Sequence, residues 1–152
     1  MTLIWCVSLL LVVYLSIVAS NYLMHTPAEV GLINQRLSPC PDSPNCVCSQ
    51  DESVTHSIKP IPFSGSEEQA IKRLSDLLIQ QRGCRIVRQE GNYLHAEFRS
   101  LCFRFVDDVE FLIDSGQNVL QVRSASRVGH YDLGANRNRI ESIRQLYLNS
   151  NK

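Results

Sequence analysis

The chain has 152 residues, a length typical of one domain, and its 15 basic residues balance 15 acidic ones. With a formal net charge of zero, the protein has no global field that attracts nucleic acid, so a nucleic-acid partner is not expected. Hydrophobic residues make up 44 % of the chain, part of them within the first twenty residues. The roughly 116 residues from Leu37 onward are enough for one core but not for two.

The N-terminal segment is an uncharged apolar run from Leu3 to Ala19. As a helix the run would be about 25 Å long, close to the hydrocarbon thickness of a bilayer. We expect residues 1–20 to be a signal anchor, with the membrane as a partner through residues 3–19. A cleaved signal peptide is the alternative, because small residues around Ala19 offer a cleavage point, and a buried core helix is a third.

Two further features of this segment favour the anchor. Basic residues, which usually precede the apolar run of a signal peptide, are missing before it. Trp5, Tyr14 and Tyr22 can lie at the membrane interfaces. Both the anchor and the signal peptide place the domain in the periplasm or an equivalent lumen, with a protein secreted to the periplasm if the segment is cleaved.

After the anchor we expect a linker over residues 21–36 and a single domain over residues 37–152. Residues 37–50 contain three prolines and many turn formers, which predicts an ordered loop without a regular element. Residues 56–63 read as extended, and Pro60 and Pro62 indicate an edge position in a sheet.

An amphipathic helix is predicted next. Ser64 or Ser66 can cap it, since Glu67 or Gln69 follows three residues later, and Gly83 is expected to end it. Its apolar residues recur at helical spacing on one face: Ala70, Ile71, Leu74, Leu77 and Leu78.

Four antiparallel strands are expected between residues 85 and 127. Residues 91–92 and 114–117 are turn signals, and the third strand carries Phe103, Phe105, Asp107, Val109, Phe111 and Ile113 on one face. Pairing Ile113 with Asn118 sets apolar residues opposite apolar ones. This register also places Asp108 opposite Arg123, Ser124 opposite Asp107 and Arg104 opposite Arg127.

A final helix is predicted over residues 134–148. Ile140, Ile143, Leu146 and Tyr147 form its apolar face, Asn136 falls on the same face, and Arg139 falls on its edge. The pattern predicts an α+β fold: an antiparallel sheet of about four to five strands packed by two helices and preceded by an apolar membrane segment.

Three blocks of the sequence resemble DUF1499, a family named only as a domain of unknown function. They are residues 40–47 (CPDSPNCV), 103–111 (FRFVDDVEF) and 123–139 (RSASRVGHYDLGANRNR), and the resemblance covers about residues 37 to 147. It implies an exported or membrane-tethered domain and no established activity. It also implies a serine where this chain has Cys48.

The cysteines of the domain allow two interpretations. A disulfide between Cys40 and Cys46 would close a short loop in an oxidising compartment. A metal site made of Cys40, Cys46, Cys48 and His56 is the alternative, although the spacing matches no standard zinc pattern. Cys84 and Cys102 are expected two strands apart, about 10 Å, too far for a disulfide.

The polar block from Arg123 to Arg139 is the candidate ligand site, for which we expect neither a cofactor nor a metal. Serine hydroxyls and arginines beside a helix N-terminus can hold a phosphate or carboxylate. The candidate residues are Asp107, Arg123, Ser124, Ser126, Arg127, Asp132, Asn136, Arg137 and Arg139. The function that follows is a non-catalytic module for a small anionic ligand, a lipid headgroup or a protein partner.

Two alternatives use the same residues. One is a satisfied buried network that fixes the last helix on the sheet. The other is a small hydrolase using Ser126, His130 and Asp132, although no Gly-x-Ser-x-Gly motif is present.

Asp107 is predicted to be buried and to pair with Arg139 first, with Ser124 and Asn136 as further donors. Asp107→Ala is therefore expected to cost about 3–5 kcal/mol of stability. Asp108 is expected to pair with Arg123 in a more exposed position. Asp108→Ala should therefore cost under about 1 kcal/mol of stability.

Overall fold

The structure is a computed structural model that describes residues 2–23, 26–27 and 29–150. Its helices are α1 (Thr2–Tyr22), α2 (Glu67–Leu78) and α3 (Ala135–Asn149). Its strands are β1 (Leu32–Ile33), β2 (Arg36–Leu37), β3 (Cys46–Cys48), β4 (Ile61–Pro62), β5 (Cys84–Glu90), β6 (Tyr93–Arg99), β7 (Val106–Asp114) and β8 (Val119–Ser126). The predicted α+β class is confirmed.

The main sheet is antiparallel and has six strands in the described chain, one more than expected. Its order is β3-β8-β7-β6-β5, and β4 pairs with the far part of the same edge of β8. The edge position predicted from Pro60 and Pro62 is thus confirmed. The prediction of no regular element over residues 37–50 is wrong, because β3 adds to the free edge of β8 within that segment.

The amphipathic helix α2 begins as predicted from Ser66. The Ser66 side chain accepts from the Gln69 backbone and the Gln69 side chain accepts from the Ser66 backbone, a complete capping box. The helix ends earlier than predicted, at Leu78. Gly83 serves instead to let the chain pass β6, since a Cβ atom there would lie 2.5 Å from the Arg99 carbonyl oxygen.

The β7–β8 register differs by two residues from the prediction. Asp114 pairs with Val119, and Asn118 takes a left-handed backbone (φ 53°) that ends the turn one residue later than expected. A shift of two keeps every side chain on its predicted face but changes its partner. Glu110, not Asp108, therefore lies opposite Arg123, and Ser126, not Ser124, lies opposite Asp107.

The third strand also begins later than predicted. Arg104 has a left-handed backbone (φ 59°), and β7 starts only at Val106, so Arg104 has no strand partner in Arg127. Phe103 and Phe105 lie in the β6–β7 loop and are partly exposed. This loop, residues 100–105, and the β8–α3 loop, residues 127–134, form one end of the domain, which we call the tip.

The two faces of the sheet are covered differently. Helices α2 and α3 pack on one face, the helix side, with Phe111, Val122, Leu74, Ile140 and Tyr147 among its buried core residues. Residues 29–38, which we call the strap, cover the other face. Leu37 packs there with Cys48, Tyr93 and Leu112 in a second, smaller core.

Helix α3 packs largely as its periodicity predicts. Asn136, Ile140, Ile143 and Tyr147 are buried, but Leu146 is 42 % exposed, contrary to the prediction. Arg144 occupies the buried face instead, because its guanidinium donates to the carbonyl oxygens of Lys59 and Pro60 next to β4.

Helix α1 contains the only segment in the described chain long and apolar enough to cross a membrane, Ile4–Tyr22. Its C-terminal half lies against the tip. The Tyr14 hydroxyl donates to the Cys102 carbonyl oxygen at 3.0 Å, and Asn21 Nδ2 donates to the Phe103 carbonyl oxygen at 2.8 Å.

Candidate functional site

A polar cluster on the helix side joins β7, β8 and α3. Arg139 forms the predicted ion pair with Asp107 and also donates to Ser124 Oγ at 3.1 Å and Asn136 Oδ1 at 2.7 Å. The Ser124 hydroxyl donates to Asn136 Oδ1 rather than to Asp107. The carboxylate and the guanidinium are 14 % and 17 % exposed, so this pair reaches the surface.

Asp132 caps α3, whose N-cap residue Gly134 has no side chain to do so. Its carboxylate accepts from the backbone N–H of Gly134 at 3.0 Å and of Asn136 at 2.8 Å. Partial burial opposes its charge, but these hydrogen bonds prevail and lower the pKa of Asp132. The amide of Asn136 also bonds Ser126 Oγ, at 2.9 Å, and so ties β8 to the helix start.

Above this cluster a groove of about 560 Å³ opens at the tip. Its polar lining includes Asp107, Ser126, Asp132 and Arg139, with the Arg139 guanidinium 5.0 Å from the centre of the Phe98 ring. Its apolar lining comes mainly from the tip loops: Phe98, Phe105, Val128, Tyr131, Leu133 and Ala135. The groove therefore combines apolar walls with a charged pair and a hydroxyl.

A second polar cluster, the ionic layer, lies on the strap side of the sheet. Arg127 binds both carboxylate oxygens of Asp108, at 2.8 and 2.7 Å, and Glu97 at 2.7 Å. His95 Nε2 lies 2.7 Å from Asp108, and Arg123 binds Glu110 at 2.8 Å. All these groups are buried. The expected Asp108–Arg123 pair is wrong, as is the expectation that Asp108 is exposed: its side chain is 2 % exposed.

The charges of the ionic layer stabilise one another. Burial alone would raise the pKa values of Asp108 and Glu97, but their hydrogen bonds with Arg127 and its positive charge outweigh burial and lower both values. Burial alone would lower the pKa of Arg127, but its hydrogen bonds with the same two carboxylates and their negative charges raise it. All three groups are thus held in their charged forms at neutral pH.

The strap closes over this layer. The backbone N–H of Gly31 donates to Glu110 Oε1 at 2.7 Å, and the Tyr93 hydroxyl donates to the same oxygen at 2.7 Å. Arg123 Nε and one terminal nitrogen of Arg99 are buried without an acceptor in the described part of the chain. Two buried arginine nitrogens in or beside the layer therefore remain as spare donors.

The structure divides the predicted ligand residues among three places. Asp107, Ser126, Asp132 and Arg139 line the groove, and Ser124 and Asn136 lie buried beneath it. Arg123 and Arg127 lie on the opposite face of the sheet, in the ionic layer. Arg137 points elsewhere and donates to the carbonyl oxygens of Thr55 and Ser57.

Ser126, His130 and Asp132, the residues of the alternative hydrolase, are not arranged as a catalytic triad. Ser126 Oγ accepts from Asn136, Asp132 is occupied by the cap of α3, and His130 stacks edge-on with Tyr131 at 4.6 Å between ring centres. No hydrogen bond joins Ser126 to His130 in the residues that the structure describes. Nothing in this geometry favours acyl transfer.

The predicted disulfide is confirmed: Cys40 and Cys46 are bonded. The alternative metal site would need the sulfurs of Cys40 and Cys46 as ligands, but the disulfide uses both of them. His56, another proposed ligand, has its Nδ1 atom 3.0 Å from the Cys46 carbonyl oxygen. Cys48, Cys84 and Cys102 are free, as expected for the last two. Burial raises the pKa of the Cys48 thiol and raises that of Cys84 to about 11, so neither is a reactive thiolate.

Two parts of these sites cannot be recognised in the sequence. The ionic layer was visible only as alternating charges on β6, β7 and β8, a pattern also typical of a solvent-facing sheet. The groove walls appear in the sequence as single apolar residues, Val128, Tyr131 and Leu133, inside a polar block.

The chain matches one family model in the comparison with known proteins. The family model of DUF1499, described as a protein of unknown function, matches residues 36–146, close to the span of the resemblance. No curated protein and no solved structure shows a significant match. Since the match covers most of the chain, and includes the main sheet, α2, most of α3 and the groove, this protein belongs to the DUF1499 family.

Proposed function

We propose that this protein is a membrane-anchored binding module whose groove holds an amphiphile. The apolar part of the ligand would lie against Phe105, Tyr131 and Leu133, and its polar head would lie against Ser126 and the pair formed by Arg139 and Asp107. The observation that carries this proposal is the composition of the groove, in which apolar loop residues enclose a charged pair at the domain surface.

The neighbourhood of the groove supports a lipid-like ligand. The ring of Phe105 lies 5.7 Å from that of Phe103, which lies 5.9 Å from Tyr14 in α1. A row of aromatic contacts thus leads from the proposed anchor helix to the groove wall. A ligand drawn from the bilayer would meet apolar side chains along this row.

The ionic layer is a less suitable ligand site. Each of its three carboxylates, Glu97, Asp108 and Glu110, is already bonded to an arginine. An incoming anion would meet these carboxylates as well as the spare donors of Arg99 and Arg123. We therefore assign the layer a structural role and the groove the binding role.

Location in an oxidising compartment is part of the proposal. The apolar helix α1 and the disulfide between Cys40 and Cys46 both support it, because disulfides persist outside the reducing cytosol. We propose that α1 is retained as an anchor and that the domain lies in the periplasm or an equivalent lumen.

The groove is tested with a variant that fills it. Ala135 is exposed at the start of α3 and lines the groove, so Ala135→Trp should occupy it, while Asn138→Trp changes an exposed residue of the same helix outside the lining. The full chain is purified in mild detergent, and bound phospholipid and fatty acid are quantified by mass spectrometry.

We expect the wild type and Asn138→Trp to retain about one amphiphile per chain above the amount bound by Ala135→Trp. Lipids that merely surround α1 would be retained equally by all three proteins. Equal retention in all three would therefore overturn the proposal, as would a wild type that carries no amphiphile.

A further inference from the structure

We infer that the tip of the domain inserts into the bilayer beside α1, so that the protein has a second membrane-contacting surface. This surface consists of Leu101, Phe103 and Phe105 from the β6–β7 loop and Tyr131 and Leu133 from the β8–α3 loop. The inference rests on the proposed retention of α1 as an anchor, and it does not depend on whether the groove holds a ligand.

Helix α1 contacts the domain only through its C-terminal half in the described chain. Its hydrogen bonds and ring contacts with the domain involve Tyr14, Asn21 and Tyr22. The stretch from Ile4 to Val13 precedes these contacts and is exposed throughout. The helix therefore projects beyond the tip with only its N-terminal half free of the domain.

The part of α1 that is free of the domain is too short to cross a bilayer. Ten residues of helix span about 15 Å, half of the roughly 30 Å hydrocarbon core of a bilayer. The whole of Ile4–Tyr22, at about 28 Å, is just long enough to cross it. If α1 crosses the membrane, the loop held beside Tyr14 must therefore lie about 10 Å below the membrane surface.

The tip exposes large apolar side chains. Leu101, Tyr131 and Leu133 are 59 %, 72 % and 97 % exposed, which is costly in water but suits lipid. Arg82 and Arg104 lie at the same end of the sheet, where their charges can meet lipid phosphates. Asp107 and Asp132, the acidic groups that line the groove, are bonded to Arg139 and to the α3 backbone.

The test measures the depth of single tryptophans in vesicles. The sequence has one tryptophan, Trp5, which in the wild type reports the insertion of α1. In a Trp5→Phe background, Leu101→Trp and Leu133→Trp report on the tip. Gln117→Trp is the control, because Gln117 is exposed in the turn at the other end of β7, about 30 Å from the tip.

The full chain is reconstituted into phosphatidylcholine vesicles with and without phosphatidylglycerol, and fluorescence quenching by lipids brominated on the acyl chain is recorded.

We expect Leu101→Trp and Leu133→Trp to lose about half or more of their fluorescence and Gln117→Trp to lose little. Strong quenching of Trp5 without quenching of either tip tryptophan would overturn the inference and leave the anchor intact. Absence of quenching at Trp5 would instead overturn the anchor on which both proposals depend. Equal quenching of Gln117→Trp and the tip probes would show that the domain lies flat on the bilayer, contrary to the inference.

Discussion

Asp107 and Asp108 are neighbours in the chain but lie on opposite faces of β7, and the structure reverses their expected importance. Asp108 is buried among Arg127 and His95, whereas Asp107 shares a partly exposed pair with Arg139. Asp108→Ala leaves the buried Arg127 with only part of its counter-charge and should cost about 3–5 kcal/mol of unfolding free energy. Asp107→Ala should cost less, about 1–3 kcal/mol. Urea unfolding of both variants measures the two losses, and a larger loss for Asp107→Ala would contradict this assignment.

The pH dependence of stability tests whether the charge of Asp108 stabilises the fold. Because the pKa of Asp108 is lower in the folded than in the unfolded chain, its stabilisation is fully present above its unfolded value of about 4. It is lost as the pH falls through the folded pKa. The Tm difference between wild type and Asp108→Asn should therefore be largest near neutral pH and shrink in acid. A difference that stays constant with pH would mean that charge is not the cause.

At the scale of elements, the disulfide holds the Pro-rich loop at the point where β3 joins the sheet. The bond closes a loop with a sequence separation of 6, for which chain entropy predicts a stabilisation of about 2 kcal/mol. β3 is short and lies on an edge, so it depends on this closure more than a central strand would. Reductant should lower the Tm of the wild type and leave that of the Cys40→Ser, Cys46→Ser double variant unchanged.

The double variant also separates the two interpretations of these cysteines. If the bond is the only reductant-sensitive feature, its Tm should match that of the reduced wild type. A fall in the Tm of the wild type on adding a chelator without reductant would instead indicate a metal site at these cysteines. A fall in the Tm of the double variant on adding reductant would indicate another thiol-dependent element.

At the scale of the whole molecule, the proposed topology places the far end of the sheet outside the cytoplasm. Gln117 is exposed in the β7–β8 turn, away from the tip and from the membrane in our proposal. Gln117→Cys should react with a membrane-impermeant maleimide in intact cells, whereas Cys102, which is exposed on the tip, should react poorly because the bilayer would cover the tip in our proposal. Reaction of Gln117→Cys only after lysis would place the domain in the cytoplasm.

Local patterns in the sequence determined the elements and the faces of the strands. The capping box at Ser66, the turn signal at Gly91 and the alternation along residues 106–126 depend on neighbours in the chain, so they could be predicted. Arg139 could also be assigned to Asp107, because helical periodicity places it at the edge of the buried face.

Which polar residues are buried, and which residues form the groove, depends on contacts between segments that are distant in the chain. The two-residue shift of the β7–β8 register, at the turn that ends with Asn118, left every side chain on its predicted face. It gave Asp108 and Arg123 partners other than each other. The strap, far away in sequence, turned an apparently solvent-facing row of charges into the ionic layer. The groove likewise exists because loops separated by more than twenty residues meet at one end of the sheet. Burial depends on what packs on a face, and a pattern along a single strand does not contain that information.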